Sequence, residues 1–117
     1  MANLGTNLRC VADNEHRDAI AGFYVELFGA AAVHPTPKLD VYAFGGSNIG
    51  VYFVADGTAL TPQQHVEVGT WIEIVVDDLE AVTAGLNAKG YAPLDYHDRE
   101  HDYFQAPGGQ VFRLAAA

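Results

Sequence analysis

WIEIVVDDLEAVTAGLNAKGY, residues 71–91, decides the fold because two periodicities meet inside it. Trp71 to Val76 alternates with the two-residue period of a strand. Leu79, Val82 and Leu86 then recur at helical spacing over 79–89, Asp77 or Asp78 stands where an N-cap is needed, and Gly90 stands where the helix stops. Lys89 complements the negative end of the helix dipole. About 60 residues earlier, LRCVADNEHRDAIAGFYVELFGA (8–30) echoes the pattern with about one extra helical turn. There Leu8 to Ala12 reads as the strand. Ile20, Phe23, Tyr24, Leu27 and Phe28 mark a helix over 14–28, with Asp13 or Asn14 as N-cap and Gly29 at the C-terminal cap.

Working outward, Leu39–Phe44 and Asn48–Ala55 are alternating runs joined by Gly45-Gly46-Ser47, which predicts a hairpin. Asp102–Gln105 and Gln110–Leu114, joined by Ala106-Pro107-Gly108-Gly109, predict another. Weaker strands are expected at Ala31–His34 and Leu94–His97. The order is strand, helix, about three strands, and the same again. That mixture favours α+β over a doubly wound parallel sheet. The expected modules are about 1–56 and 69–117 of one domain. The stretch 57–68, with Pro62 and paired glutamines, reads as a connector. Each half alone leaves an apolar sheet face uncovered, so the halves are expected to pack together or to swap between chains.

The 117 residues suffice for one domain with an ordinary core. Cys10 is the single cysteine, so no intramolecular disulfide forms, and on a strand facing a helix it reads as a small buried apolar group. A net charge of −9 repels phosphate backbones and argues against nucleic acid; it either favours a cationic ligand or keeps the chain soluble. MANLGTNLR has no basic region followed by an apolar run, and no apolar stretch approaches a membrane span. A cytoplasmic protein without a membrane partner is expected.

Three segments carry a family resemblance. FYVELFGA (23–30), WIEIVVDDLEAV (71–82) and YFQAPGGQVFRL (103–114) are similar, in order and spacing, to segments of the vicinal oxygen chelate superfamily, which includes glyoxalases, bleomycin-resistance proteins and extradiol dioxygenases. The resemblance implies two βαβββ modules forming a curved mixed sheet, with helices on the convex side and a concave pocket. It also implies where a divalent metal would sit: ligands open the first strand and lie on the last strand of each half. Carried onto this sequence, those positions fall on Trp71 and Arg113 in the second half. In the first half they fall on Thr6 or Asn7 and on Gly50 or Tyr52. An indole N–H only donates and a guanidinium is a permanent cation, so neither Trp71 nor Arg113 replaces a metal ligand. No metal and no cofactor are therefore expected.

Strand alternation sorts the faces. Ile72, Ile74, Val76, Phe104, Phe112 and Leu114 are expected to face the helices. Trp71, Glu73, Val75, Val111, Arg113, Tyr103 and Gln105 are expected to line the concavity, with Tyr42, Phe44, Tyr52 and Val54 from the first half. The candidate ligand-binding residues are thus Trp71, Glu73, Arg113, Tyr103, Tyr52, Tyr42 and Gln105, an aromatic lining with few polar groups. Trp71 is equally readable as core. Arg113 and Glu73 either pair with each other or, unpaired, offer themselves to a carboxylate or phenolate and to a cation respectively.

The histidines offer little chemistry. His97 and His101, amid Asp95, Asp98, Glu100 and Asp102, read as a solvated acidic loop or hairpin tip rather than a helical zinc pair. His65 reads as an exposed linker residue, with a ligand or base as the alternative; His16 and His34 suggest no chemistry. No catalytic residue is assigned. The favoured expectation is a metal-independent small-molecule binding protein of the bleomycin-resistance type, acting in antibiotic resistance by sequestering an aromatic or glycopeptide-like ligand, and a homodimer. The alternative is a metal-dependent lyase, isomerase or dioxygenase using an atypical set such as His65 with Glu73. A regulatory interaction domain without a ligand is the third.

Overall fold

The computed structural model describes residues 1–117, which fall into two compact units, Met1–Ala59 and Leu60–Ala117. The first unit opens with strand β1 (Asn7–Asp13) and a 3₁₀ turn (Asn14–His16) leading into helix α1 (Arg17–Gly22). A π-helical stretch, Phe23–Leu27, continues α1. Strands β2 (Ala31–Thr36), β3 (Leu39–Phe44) and β4 (Ser47–Val54) follow. The sheet order is β1-β4-β3-β2, with β1 and β4 parallel and the other pairs antiparallel.

The second unit holds α2 (Pro62–Val68), β5 (Trp71–Val76), α3 (Leu79–Ala88), β6 (Asp102–Gln105) and β7 (Val111–Ala116). Its sheet order is β5-β7-β6, again with the outer first strand parallel to the last. The two mixed sheets with their helices make an α+β chain of βαβββ type. No helix is long and apolar enough to cross a membrane.

The local reasons are legible. Asp78 caps α3 by accepting the Ala81 N–H at 3.0 Å, and Gly90, at φ 89°, ends it in a conformation that a side chain would resist. Asp13 does not cap the first helix. Its carboxylate instead accepts the backbone N–H groups of Gly57, Thr58 and Ala59 at 2.8–3.2 Å, which pins the chain beyond β4 to the end of β1. The predicted connector contains a helix. Thr61 and Gln64 form a reciprocal capping box with Pro62 in the first turn, a signature that starts even a seven-residue helix.

The strand expected at Leu94–His97 is absent. Only the Leu94 N–H reaches β6, donating to the Tyr103 carbonyl at 2.7 Å. Pro93 has no N–H to offer, and the side chains beyond it turn to contacts of their own.

Each unit buries its own core. In the first, Ile20, Phe23 and Tyr24 pack on Tyr42, Ile49, Val51 and Phe53, with the Tyr24 and Tyr42 rings 4.8 Å apart. In the second, Ile74, Leu86, Phe104, Phe112 and Leu114 are buried, the alternate residues of three strands together with the stripe of α3. Such a side chain contributes about 1.5–3 kcal/mol by leaving water.

Candidate functional site

The face of the second sheet opposite α3 carries the chemistry. Register sets it: Trp71 pairs with Val111, Glu73 with Arg113, and Tyr103 with Arg113 from the other side. Residues in register share a face, so Trp71, Glu73, Arg113 and Tyr103 meet across three strands.

Arg113 is the centre of this group. Its Nε donates to Glu73 Oε2 at 2.8 Å and its Nη2 lies 2.6 Å from the same oxygen. Its guanidinium carbon sits 4.2 Å from the centroid of the Trp71 ring, a cation–π stack. The Glu73 hydrogen bond, with a second bond to the Tyr103 hydroxyl, holds the guanidinium charged beyond its ordinary range. Trp71 also meets the Tyr103 ring edge-on at 6.3 Å and remains 40% exposed. Of the two fates open to Arg113 and Glu73, the structure takes mutual pairing.

A segment outside the regular strands completes the face. Tyr103 donates its phenol proton to Asp98 Oδ2 at 2.8 Å. The same oxygen lies 2.7 Å from His101 Nδ1, and Asp98 Oδ1 accepts the Glu100 N–H at 2.9 Å. The Glu100 N–H, the Tyr103 phenol and His101 hold the Asp98 carboxyl down at about 2. Burial, then the bond to Asp98, pushes the Tyr103 phenol up. Tyr96 stacks on Tyr103 with centroids 4.6 Å apart and on His97 at 4.2 Å. A continuous chain of side chains thus runs His101–Asp98–Tyr103–Arg113–Glu73. Tyr96, Asp98 and His101 are the members that sequence reasoning missed, because a run dense in acids reads as solvated loop; the His–Asp spacing of three was the available signal.

Gln105 lies on the same face but is engaged, donating to the Pro62 and Gly109 carbonyls at 2.9 Å each, which ties α2 to the sheet. His65 is not an exposed linker residue. It is 7% exposed on α2, because the capping box folds that segment into a helix that packs on the β6–β7 turn. A Cβ on Gly109 would stand 2.9 Å from its ring. Burial lowers the His65 pKa. A separate shallow groove of about 520 Å³ runs along α3, lined by Leu79, Glu80, Thr83, Ala84 and Asn87, with Asp102 at the start of β6.

In the first unit Tyr42 and Tyr52 lie on opposite faces, not on one. The two-residue turn pairs Phe44 with Ser47, so Tyr42 opposes Ile49 and Tyr52 opposes Leu39. Tyr42 is therefore fully buried against Tyr24, on the helix side. Burial and the neighbouring Asp40 push its phenol up to about 12. Tyr52 stands on the other face with the Arg9 guanidinium 4.7 Å above its ring.

Asp40, 1% exposed, gathers Arg17 and His34: Arg17 Nε donates to Oδ2 at 3.0 Å, Arg17 Nη2 to Oδ1, and His34 Nδ1 lies 2.6 Å from Oδ1. Burial alone would raise its pKa, but Arg17 and His34 hold it below the ordinary carboxylate value. Cys10 is pushed up to about 11 by burial, which leaves an inert thiol.

The residues do not fit the superfamily's metal. Trp71 stacks on a cation, Arg113 is one, and Glu73, the carboxylate in register with Arg113, is held by it. The first-half positions, Thr6 or Asn7 and Gly50 or Tyr52, supply no carboxylate or imidazole. Asp13, Glu15 and His16 bring ligand atoms within 4.8 Å of one another, but at the far end of β1, where Asp13 already accepts three N–H donors.

No family model matches the sequence, and no curated protein matches it. Solved structures do. A lactoylglutathione lyase from Agrobacterium tumefaciens aligns over 100% of this chain and 96% of its own, at 16% identity and a TM-score of 0.70. The trypanothione-dependent glyoxalase I of Leishmania major aligns over 98% and 87%, at 18% identity and 0.75. The fosfomycin resistance protein FosX of Listeria monocytogenes aligns over 100% and 95%, at 14% and 0.73. Identities this low establish likeness of fold.

Proposed function

From the vicinal oxygen chelate fold of this chain we infer a metal-independent small-molecule binding protein of the bleomycin-resistance type. Its ligand is aromatic or glycopeptide-like and is held by sequestration in a cytoplasmic homodimer. The observation that carries this reading is the position of Arg113. Where the fold's relatives are expected to present a metal ligand, this chain presents a guanidinium clamped on Glu73 and stacked on Trp71. A guanidinium has no lone pair to give a metal, and the one carboxylate beside it is occupied by it, while the exposed indole offers apolar area for a ligand.

The rival is a metal-dependent lyase, isomerase or dioxygenase, favoured by the glyoxalases among the structural neighbours. Its atypical set of His65 and Glu73 is weakened by the burial of the one and the pairing of the other. Titrating the purified chain with metal-free bleomycin, read by fluorescence of its single tryptophan, separates the two. The binder gives saturable quenching unchanged by chelator. Absence of binding, together with chelator-sensitive turnover of the hemithioacetal of methylglyoxal and glutathione, supports the enzyme.

A further inference from the structure

The irregular stretch between α3 and β6 covers part of the aromatic face and is fastened to one residue. Its hydrogen bonds and its ring stack to the sheet all end on Tyr103. The Leu94 N–H donates to the Tyr103 carbonyl at 2.7 Å, the Tyr96 ring lies on the Tyr103 ring, and Asp98 Oδ2 accepts the Tyr103 phenol proton at 2.8 Å. The remaining bonds are internal to the stretch. Arg99 pairs with Asp95, both fully in solvent, and Asp98 holds the Glu100 N–H and His101.

Tyr96 does to Tyr103 what an aromatic ligand would do. The two rings stand 4.6 Å apart and 38° from parallel, within the range of stacked pairs. Tyr103 is 3% exposed, whereas Trp71, which meets its ring edge-on, is 40% exposed. The indole is therefore the open part of the face, and the part beside it is filled by a ring of the chain itself. That filling is lightly held. No residue of 94–101 is fully buried. Ordering each of them costs conformational entropy, which three ties to one residue offset only in part. Segments held in this way open locally before the core does.

We propose that residues 94–101 form an autoinhibitory strap. Tyr96 occupies the stacking position on Tyr103, and a ligand seated on Trp71 reaches the Tyr103 ring when the strap lifts and the Asp98–Tyr103 bond breaks. This rests on the binding function inferred above, and it assigns the segment to regulation of that site rather than to its wall. A ligand that needs the open state binds more weakly by the fraction of molecules in which the strap is open.

Two measurements on the ¹⁵N-labelled full chain test the strap. Without ligand, the Leu94 amide reports it, because its acceptor is the Tyr103 carbonyl. That amide is expected to exchange at least about a hundredfold faster than the ladder amides of β5–β7, at a rate that low urea leaves unchanged. Exchange of Leu94 together with the ladder overturns the strap. The second measurement titrates metal-free bleomycin and follows the Trp71 indole N–H resonance. Tyr96→Ala is expected to bind about fivefold more tightly than the parent, the weight of one competing ring stack. Tyr96→Phe, which keeps the ring, should bind as the parent does. Asp98→Ala keeps the Tyr96 ring and loosens the segment, so it should tighten binding in the same sense as Tyr96→Ala. Equal or weaker binding by Tyr96→Ala overturns the autoinhibitory role while leaving a binding protein standing. If bleomycin moves the indole in neither parent nor variants, the binding function itself fails, and fast Leu94 exchange then marks a segment with nothing to inhibit.

Discussion

The Tyr103 hydroxyl donates to Asp98 Oδ2 at 2.8 Å, and through that bond the irregular stretch after α3 is fastened to the sheet. Regular pairing contributes only the Leu94–Tyr103 backbone bond there. Tyr103→Phe keeps the ring stack and removes the donor. The expected outcome is faster amide exchange over residues 95–101 with the β5–β7 ladder unchanged, measured by hydrogen exchange with NMR. Uniform loss of protection across both regions would show that the bond supports the whole unit instead.

Asp40 holds the first unit together in a pH-dependent way. Its carboxyl lies below its ordinary pKa in the fold, held there by Arg17 and His34 against the effect of burial. A depressed carboxyl gives stability that is full above the unfolded value near 4 and disappears as pH falls through the folded value. Asp40→Asn should flatten the stability profile on that acid side. At pH 7 the variant should lose about 2 kcal/mol, less than the roughly 3–5 kcal/mol of a wholly buried pair, because the partly exposed Arg17 can be rehydrated. Urea unfolding between pH 3 and 7 measures both.

His65 has the opposite demand. Burial lowers its pKa, so the unfolded chain binds the proton more readily and stability falls as pH drops below about 6.5. His65→Met fills similar space without a titrating group. The variant should lack that slope while the parent shows it, in the same urea series.

Gly109 is fixed by contact as well as by backbone. At φ 110° a side chain is strained, and its Cβ would meet the Pro62 Cα at 2.6 Å. Backbone cannot yield as a side-chain tip does, so Gly109→Ala should cost about 2 kcal/mol or more. Gly46→Ala, with open space around it and no positive φ, is the control and should be near neutral.

How much of this was legible depends on the kind of order. Period-two alternation fixes a face, so Trp71–Val76 was readable to the residue and Trp71, Glu73, Arg113 and Tyr103 fell on one side of three strands. Parity across a turn is harder. A two-residue turn, against a longer one, decides whether Tyr42 joins Tyr52 or opposes it, and the run of Gly45, Gly46 and Ser47 left that count open. The short α2 carried its signature in Thr61, Pro62 and Gln64, but a helix of seven residues shows too little apolar period to outweigh the loop-like composition around it. The Asp98 network is built from partners two, three and five residues away, so its spacing stood in the sequence, but the surrounding acids gave the segment the composition of a solvated loop.

The most direct test of the central claim combines two additions to the ¹⁵N-labelled chain. Sub-stoichiometric Mn²⁺ broadens resonances close to a bound ion, and metal-free bleomycin shifts those close to a bound ligand. A metal-independent site on the Trp71–Arg113 face predicts a sharp indole resonance with Mn²⁺ and a saturable shift with bleomycin. Selective broadening of Trp71 and Arg113 by Mn²⁺, with no shift from bleomycin, would contradict it.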